Sequence, residues 1–222
     1  MATRRTERSK RNSQSSPESL VRLERLLWDV GFTTVAGVDE VGLGPLAGPV
    51  VAAAVVFPVR PETLLLVDDS KKLSATRREQ LAVEIHEAAF AVACGVVEVD
   101  EVDAIGVHKA GLEAMRRAVV ALEPAADYLL VDARRVPGVT VGQSAYTKAD
   151  SFIYSVAAAS IVAKVHRDAM MRGLEERFPG YGFGQHMGYG TAAHLDALSR
   201  LGPCAIHRRS FEPVRRVIEG RP

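Results

Sequence analysis

Cysteine is nearly absent from this chain: Cys94 and Cys204 are the only two in 222 residues. Two thiols are too few for a disulfide scaffold and lack metal-type spacing, so they read as ordinary thiols of a reducing cytoplasm. Long apolar runs are lacking too. None reaches the length of a bilayer span, and the N-terminal stretch has no apolar middle of the signal-peptide kind. The expectation is therefore a cytoplasmic protein with no membrane partner. Nor does one sign of charge dominate. Lys and Arg number 28 against 27 Asp and Glu, a formal net charge of +1, which neither supports nor excludes a nucleic-acid partner. No internal repeat is visible, which removes the solenoid architectures.

What is present is an ordinary globular composition, 47% hydrophobic and 25% charged, enough to bury one large core. Charge is unevenly placed. Arg4, Arg5, Arg8, Lys10 and Arg11 crowd one end, and Arg208, Arg209, Arg215 and Arg216 the other. Residues 1–15 are basic and serine-rich, which predicts a disordered tail. A helix over 16–33 is expected next, with Ser16 as N-cap, Pro17 at its first position, Gly31 as terminator, and a stripe of Leu20, Leu23, Leu27 and Val30.

From Val35 the period changes. Val35 to Asp39, Val50 to Phe57, Val92 to Val99 and Tyr128 to Asp132 read as strands. Leu81, Ile85 and Ala89 mark a helix starting at Ser74; Leu112, Met115, Val119 and Leu122 mark another. A long helical zone spans Ser151 to Arg177, and a short helix lies near Ala192 to Arg200. Strands first, then alternation with helices, predict an α/β sheet with helical additions at the C-terminus.

Four acids lie where strands or turns meet helices: Asp39, Glu40, Asp132 and Asp150. In open α/β sheets reactive groups gather beyond strand ends, and hard carboxylate oxygens suit Mg²⁺ or Mn²⁺. Each acid also has a plainer reading, Asp150 as the cap of the following helix for instance. Asp39 and Glu40 are adjacent, so in a regular strand they face opposite ways; a backbone turn near Gly37, Gly42 and Gly44 is what would let them share a site. The run Gly42 to Gly48 is not a P-loop, because no Lys-Ser/Thr follows it; its use would be close approach of backbone amides to a sugar or phosphate. His186, His194 and His207 lack compact zinc-ligand spacing and suit capping or packing.

Together these segments resemble the ribonuclease HII family. The resemblance rests on Gly37-Val38-Asp39-Glu40-Val41-Gly42-Leu43-Gly44-Pro45-Leu46-Ala47-Gly48-Pro49-Val50, on Asp68-Asp69-Ser70-Lys71-Lys72-Leu73, and on Val131-Asp132. It continues through Lys148-Ala149-Asp150, Ala157 to Lys164, Arg167-Asp168, Gly188-Tyr189-Gly190 and His207 to Phe211, covering about 35–214. It implies a ribonuclease H-like mixed sheet flanked by helices. The catalytic domain would span 34–178, and a helical substrate-binding extension 179–222. It implies a monomeric, cytoplasmic endoribonuclease acting on RNA–DNA hybrids and ribonucleotide-containing duplex DNA, in replication and repair.

By the same resemblance Asp39, Glu40, Asp132 and Asp150 hold two Mn²⁺ or Mg²⁺ ions, with Asp39 shared between them. Gly42, Leu43 and Gly44 would face the ribose 2′-hydroxyl, and Tyr189 would lie against the sugar. Ser70, Lys71, Lys72, Lys164 and Arg167 would contact the backbone, although Lys164 also sits four residues before Asp168, the spacing of a surface ion pair. The sequence departs from the family pattern in four places. Leu43 stands where Arg is usual, Met187 where Lys is common, and Ala133 and Ala149 where glycine is frequent. Leu43 leaves two readings: a lost phosphate contact, or a side chain packed against an adapted neighbour.

Overall fold

The computed structural model describes residues 16–67 and 73–220. The basic tail 1–15 and the segment containing Asp68, Asp69, Ser70, Lys71 and Lys72 fall outside the described residues.

A five-stranded mixed sheet forms the centre, in the order β3-β2-β1-β4-β5. Strands β1 (Val35–Val41), β2 (Val50–Val56) and β3 (Ala91–Val97) run antiparallel. Strands β4 (Tyr128–Asp132) and β5 (Gly142–Tyr146) join parallel to β1. Alternate residues of β2 serve two cores, which is why the strand has no polar face. Ala53 and Val55 pack toward helix α6 (Tyr154–Arg177), with α1 (Pro17–Leu20), α2 (Arg22–Asp29) and α3 (Ala75–Ala88) on the same side. Ala52, Ala54 and Val56 pack toward α4 (Val99–Ile105) and α5 (Val107–Val120).

The helices lie very close to the sheet, and two glycines permit it. A Cβ at Gly37 would fall 2.1 Å from the Ser155 carbonyl carbon of α6. One at Gly95 would fall 2.1 Å from the Ala114 oxygen of α5. The C-terminal part is helical, with α7 (Phe183–His186), α8 (Ala192–Leu201) and α9 (Glu212–Ile218). It is stitched to the loop after β1 by an Ala47–His207 bridge, and by Arg208 N–H donating to the Leu46 carbonyl at 2.8 Å. No helix among the described residues is long and apolar enough to cross a membrane.

Several expectations need correction. The single helix after Ser16 is two, divided at Val21, and Val30 is 73% exposed while Val21 and Trp28 carry the burial. Strand β1 continues through Glu40 and Val41 because β2 pairs with it that far. Strand β3 stops at Val97, and Val99 opens α4 instead. Helix α3 matches its reading, with the Ser74 hydroxyl accepting from the Arg77 amide as N-cap.

Candidate active site

The register of β1 and β4 builds the site. Val38 lies beside Val131 in this parallel pair, so the next residues, Asp39 and Asp132, sit together where β4 ends. Glu40 lies one residue further along β1. Regular alternation does send the two neighbours to opposite faces. Asp39 meets Ser160 of α6, and the Glu40 side chain lies near Gly111 of α5. No turn is needed between them. Because β4 stops at Asp132, the β1 edge beyond it is open, and both carboxylates reach that space. One oxygen each from Asp39, Glu40 and Asp132 lies within 4.8 Å of the others.

Asp150 joins through the turn that carries it. The Asp132 carboxylate accepts the Ala149 N–H at 2.7 Å, anchoring the short 3₁₀ turn Ala149–Ser151. Asp150 is buried there and borders the same cavity, of about 190 Å³, as the other three acids. It does not cap α6, whose N-cap is Ile153.

Burial drives the Asp39 carboxyl well above the usual range, and the charges of Glu40, Asp132 and Asp150 push the same way. A hydrogen bond from Ser160 opposes them only in part. An excess of negative charge, presented by hard oxygen donors at short mutual distance, fits a divalent cation of the Mg²⁺ or Mn²⁺ class.

The Gly42–Gly48 loop is held from below by two buried arginines, and for Arg167 this corrects the expected phosphate contact, because its guanidinium is buried on protein carbonyls. Arg167 donates to the carbonyls of Pro49 (3.0 Å), Met187 (2.9 Å) and Ala47 (3.1 Å). Arg208 donates to Gly48 (2.8 and 3.0 Å), Pro49 (3.2 Å) and Leu43 (3.3 Å). Gly42 has φ 96°, and a Cβ there would fall 2.5 Å from Arg167 Nε. A Cβ at Gly44 would lie 3.7 Å from the Tyr189 ring, so this ring covers the glycine and borders the carboxylate cavity. Lys164 makes the ion pair with Asp168 at 2.7 Å and also faces this cavity, 6.0 Å from the Tyr189 centroid. Arg78, which the sequence reading missed, lines it as well. The structure thus gathers Asp39, Glu40, Asp132, Asp150, Gly44, Lys164 and Tyr189. Ser70, Lys71 and Lys72 lie outside the described residues.

The family model for ribonuclease HII matches residues 36–214. The chain belongs to the ribonuclease HII family. A relative named ribonuclease HII from Myxococcus xanthus is 52% identical over 200 residues, covering 90% of this chain and 68% of its own length. One from Anaeromyxobacter is 49% identical over 201 residues, again 90% of this chain; the chain spans 63% of that relative's length. Among solved structures, ribonuclease H2 from Pyrococcus horikoshii superposes with a TM-score of 0.70 at 26% identity, covering 84% of this chain and 98% of that one.

Three of the four departures from the family pattern, Ala133, Ala149 and Leu43, now have physical settings. Ala133 has φ 53°, a left-handed conformation that suits glycine, whereas Ala149 lies in a 3₁₀ turn and needs none. Ala133→Gly is therefore expected to raise stability by about 0.5–1 kcal/mol, read from thermal unfolding. Leu43 packs on the α5 side, and a Cβ at Gly111 would meet its Cδ2 at 3.0 Å. It also borders a cavity of about 180 Å³ shared with Glu40 and Asp132. Leu43→Arg is expected to cost about 1 kcal/mol of stability through lost burial. Being beside the acids, it is also expected to steepen the salt dependence of hybrid binding by about one unit. Thermal unfolding and a salt titration check both.

Proposed function

We propose that this chain is an endoribonuclease that hydrolyses the RNA strand of RNA–DNA hybrids and nicks duplex DNA 5′ to embedded ribonucleotides. The products carry 3′-hydroxyl and 5′-phosphate ends, as primer removal and ribonucleotide excision require. The observation that carries the reading is the convergence of the Asp39, Glu40 and Asp132 carboxylates at the end of β4, with Asp150 bordering the same cavity. In this reading these four acids hold two ions. A pair of Mn²⁺ or Mg²⁺ ions, when bound, supplies Lewis acidity and charge neutralisation for phosphodiester hydrolysis.

Selection of ribose falls to the loop and Tyr189. Backbone groups of Gly42, Leu43 and Gly44 engage the 2′-hydroxyl, the one group that separates RNA from DNA at a single residue. Tyr189 packs against the sugar; Lys164, with Ser70, Lys71 and Lys72, holds backbone phosphates without reading sequence. Residues 34–178 act as the catalytic domain, 179–222 as the substrate-binding extension, and the chain works as a cytoplasmic monomer.

The test is a DNA duplex bearing one ribonucleotide, assayed with Mn²⁺ or Mg²⁺ beside an all-DNA control. A single nick on the 5′ side is expected, with the control cut about 10⁴-fold more slowly, because a site built around a hydroxyl strongly rejects its absence. Tyr189→Ala is expected to lose about tenfold or more in nicking rate while keeping metal affinity and melting temperature. Equal cutting of both duplexes overturns the reading.

A further inference from the structure

Three histidines of the C-terminal part make no contact with the acids, yet they form one ordered set. His194 and His207 are 0% and 1% exposed, and the His186 ring stacks on His194 with centroids 4.4 Å apart. Their hydrogen bonds determine where each proton sits. The Cys204 amide donates to His207 Nδ1 at 3.0 Å, so that nitrogen is unprotonated and the proton is on Nε2. His207 Nε2 lies 3.1 Å from His194 Nε2, which must then accept. That leaves the His194 proton on Nδ1, donating to the Tyr189 carbonyl at 2.9 Å. His186 completes the set: Nδ1 accepts from the Gly188 amide at 3.2 Å, and Nε2 donates to the Tyr181 carbonyl at 2.8 Å.

We propose that Cys204, His207 and His194 form a hydrogen-bond relay of fixed direction that holds Tyr189 in register over Gly44, making His194 and His207 positioning residues for substrate. This rests on the reading that Tyr189 meets the sugar. Simple packing would need only rings of the right size. Here every ring nitrogen has a backbone or imidazole partner, and the series ends on Tyr189, which among the described residues of this part is the one that borders the carboxylate cavity. The same segment is pinned from the opposite side, where the Leu46 amide donates to the Gly188 carbonyl at 2.8 Å. Tyr189 is thus gripped between the substrate loop and the relay. The relay works only with neutral rings, and burial together with the neighbouring histidines keeps them so, lowering His207 to about 4.

The test is a cycle of His194→Ala, His194→Asn, Tyr189→Ala and the His194→Ala/Tyr189→Ala double variant in hybrid cleavage. His194→Ala is expected to lower kcat/KM about tenfold, mainly through KM, since a side chain misplaced near the substrate costs orientation. His194→Asn places an amide N–H near the lost Nδ1–H and is expected to recover most of that loss. In the Tyr189→Ala background, His194→Ala is expected to change kcat/KM by less than about twofold, because nothing remains to be positioned. Equal losses in both backgrounds overturn the relay's role. Failure of the parent reading is distinct: Tyr189→Ala itself then cleaves at the wild-type rate, which removes the positioning role as well. Ring nitrogen NMR of the wild-type protein at neutral pH needs neither substrate nor variant. It is expected to show His194 protonated on Nδ1, with His186 and His207 protonated on Nε2. A His194 protonated on Nε2 overturns the relay.

Discussion

Asp39→Asn is expected to reduce hybrid cleavage by about 10³-fold or more while leaving the fold intact, because it removes a ligand charge and no core packing. Asparagine keeps an oxygen that can accept from the Glu40 amide, now at 2.8 Å from Asp39 Oδ1. The metal-free variant is also expected to be more stable than the metal-free parent. The Asp39 carboxyl is raised by burial and by Glu40, Asp132 and Asp150, so the folded chain binds its proton more tightly than the unfolded one. Stability of the metal-free parent therefore falls as pH rises above the ordinary carboxylate value, and the variant escapes that loss. Thermal unfolding in excess chelator at pH 5 and pH 8 should show the gap widening with pH. Asp132→Asn is expected to share the loss of activity. Full cleavage by either variant, or cleavage indifferent to chelator, would overturn the metal reading.

Gly37→Ala is expected to be severely destabilising. The added Cβ would fall 2.1, 2.3 and 2.4 Å from Ser155 C, Val156 N and Ser155 O, all backbone atoms of α6 that no rotamer change can move. Helix α6 must lift off β1, and the cost is about 3–4 kcal/mol, the range of severe overpacking. For a chain of this size that lowers the melting temperature by about 10 °C. Activity falls with it, since α6 carries Ser160 against Asp39. Gly173, in the same helix, is the control. Nothing lies within 4 Å of a Cβ built there, so Gly173→Ala is expected to stabilise by up to about 1 kcal/mol. Comparable melting temperatures for the two variants would contradict the close-packing argument.

Much of the fold was legible in residues where one local signal dominates. Strand β4 agrees with its reading to the residue, and α3 begins at the Ser74 cap. Helix α5 carries the apolar spacing of Leu112, Met115 and Val119. Strand β5 was not legible. Gly142-Gln143-Ser144-Ala145-Tyr146 has no β-branched residue and no buried face, and it is a strand only because β4 offers it an edge. Likewise, the break at Val21 and the extra length of β1 follow from what packs or pairs beside them.

The site divides in the same way. From sequence, local chemistry pointed to the acids at strand ends and to the glycine loop, since carboxylates are hard ligands and glycine admits close backbone approach; the resemblance to ribonuclease HII is what joined them into one expected site. The same resemblance brought Tyr189 forward. Only the tertiary structure decided how Asp39 and Glu40 share a space, since that depends on a neighbouring strand ending at Asp132. It alone decided that Asp150 hangs from the Asp132 carboxylate rather than capping α6, and that Leu43 packs beside Gly111. Arg167 and Arg208 acquired carbonyl partners 20 to 165 residues away, and His194 an imidazole 13 residues away, only once the chain had folded; no local pattern encodes a partner that distant folding brings within hydrogen-bond reach.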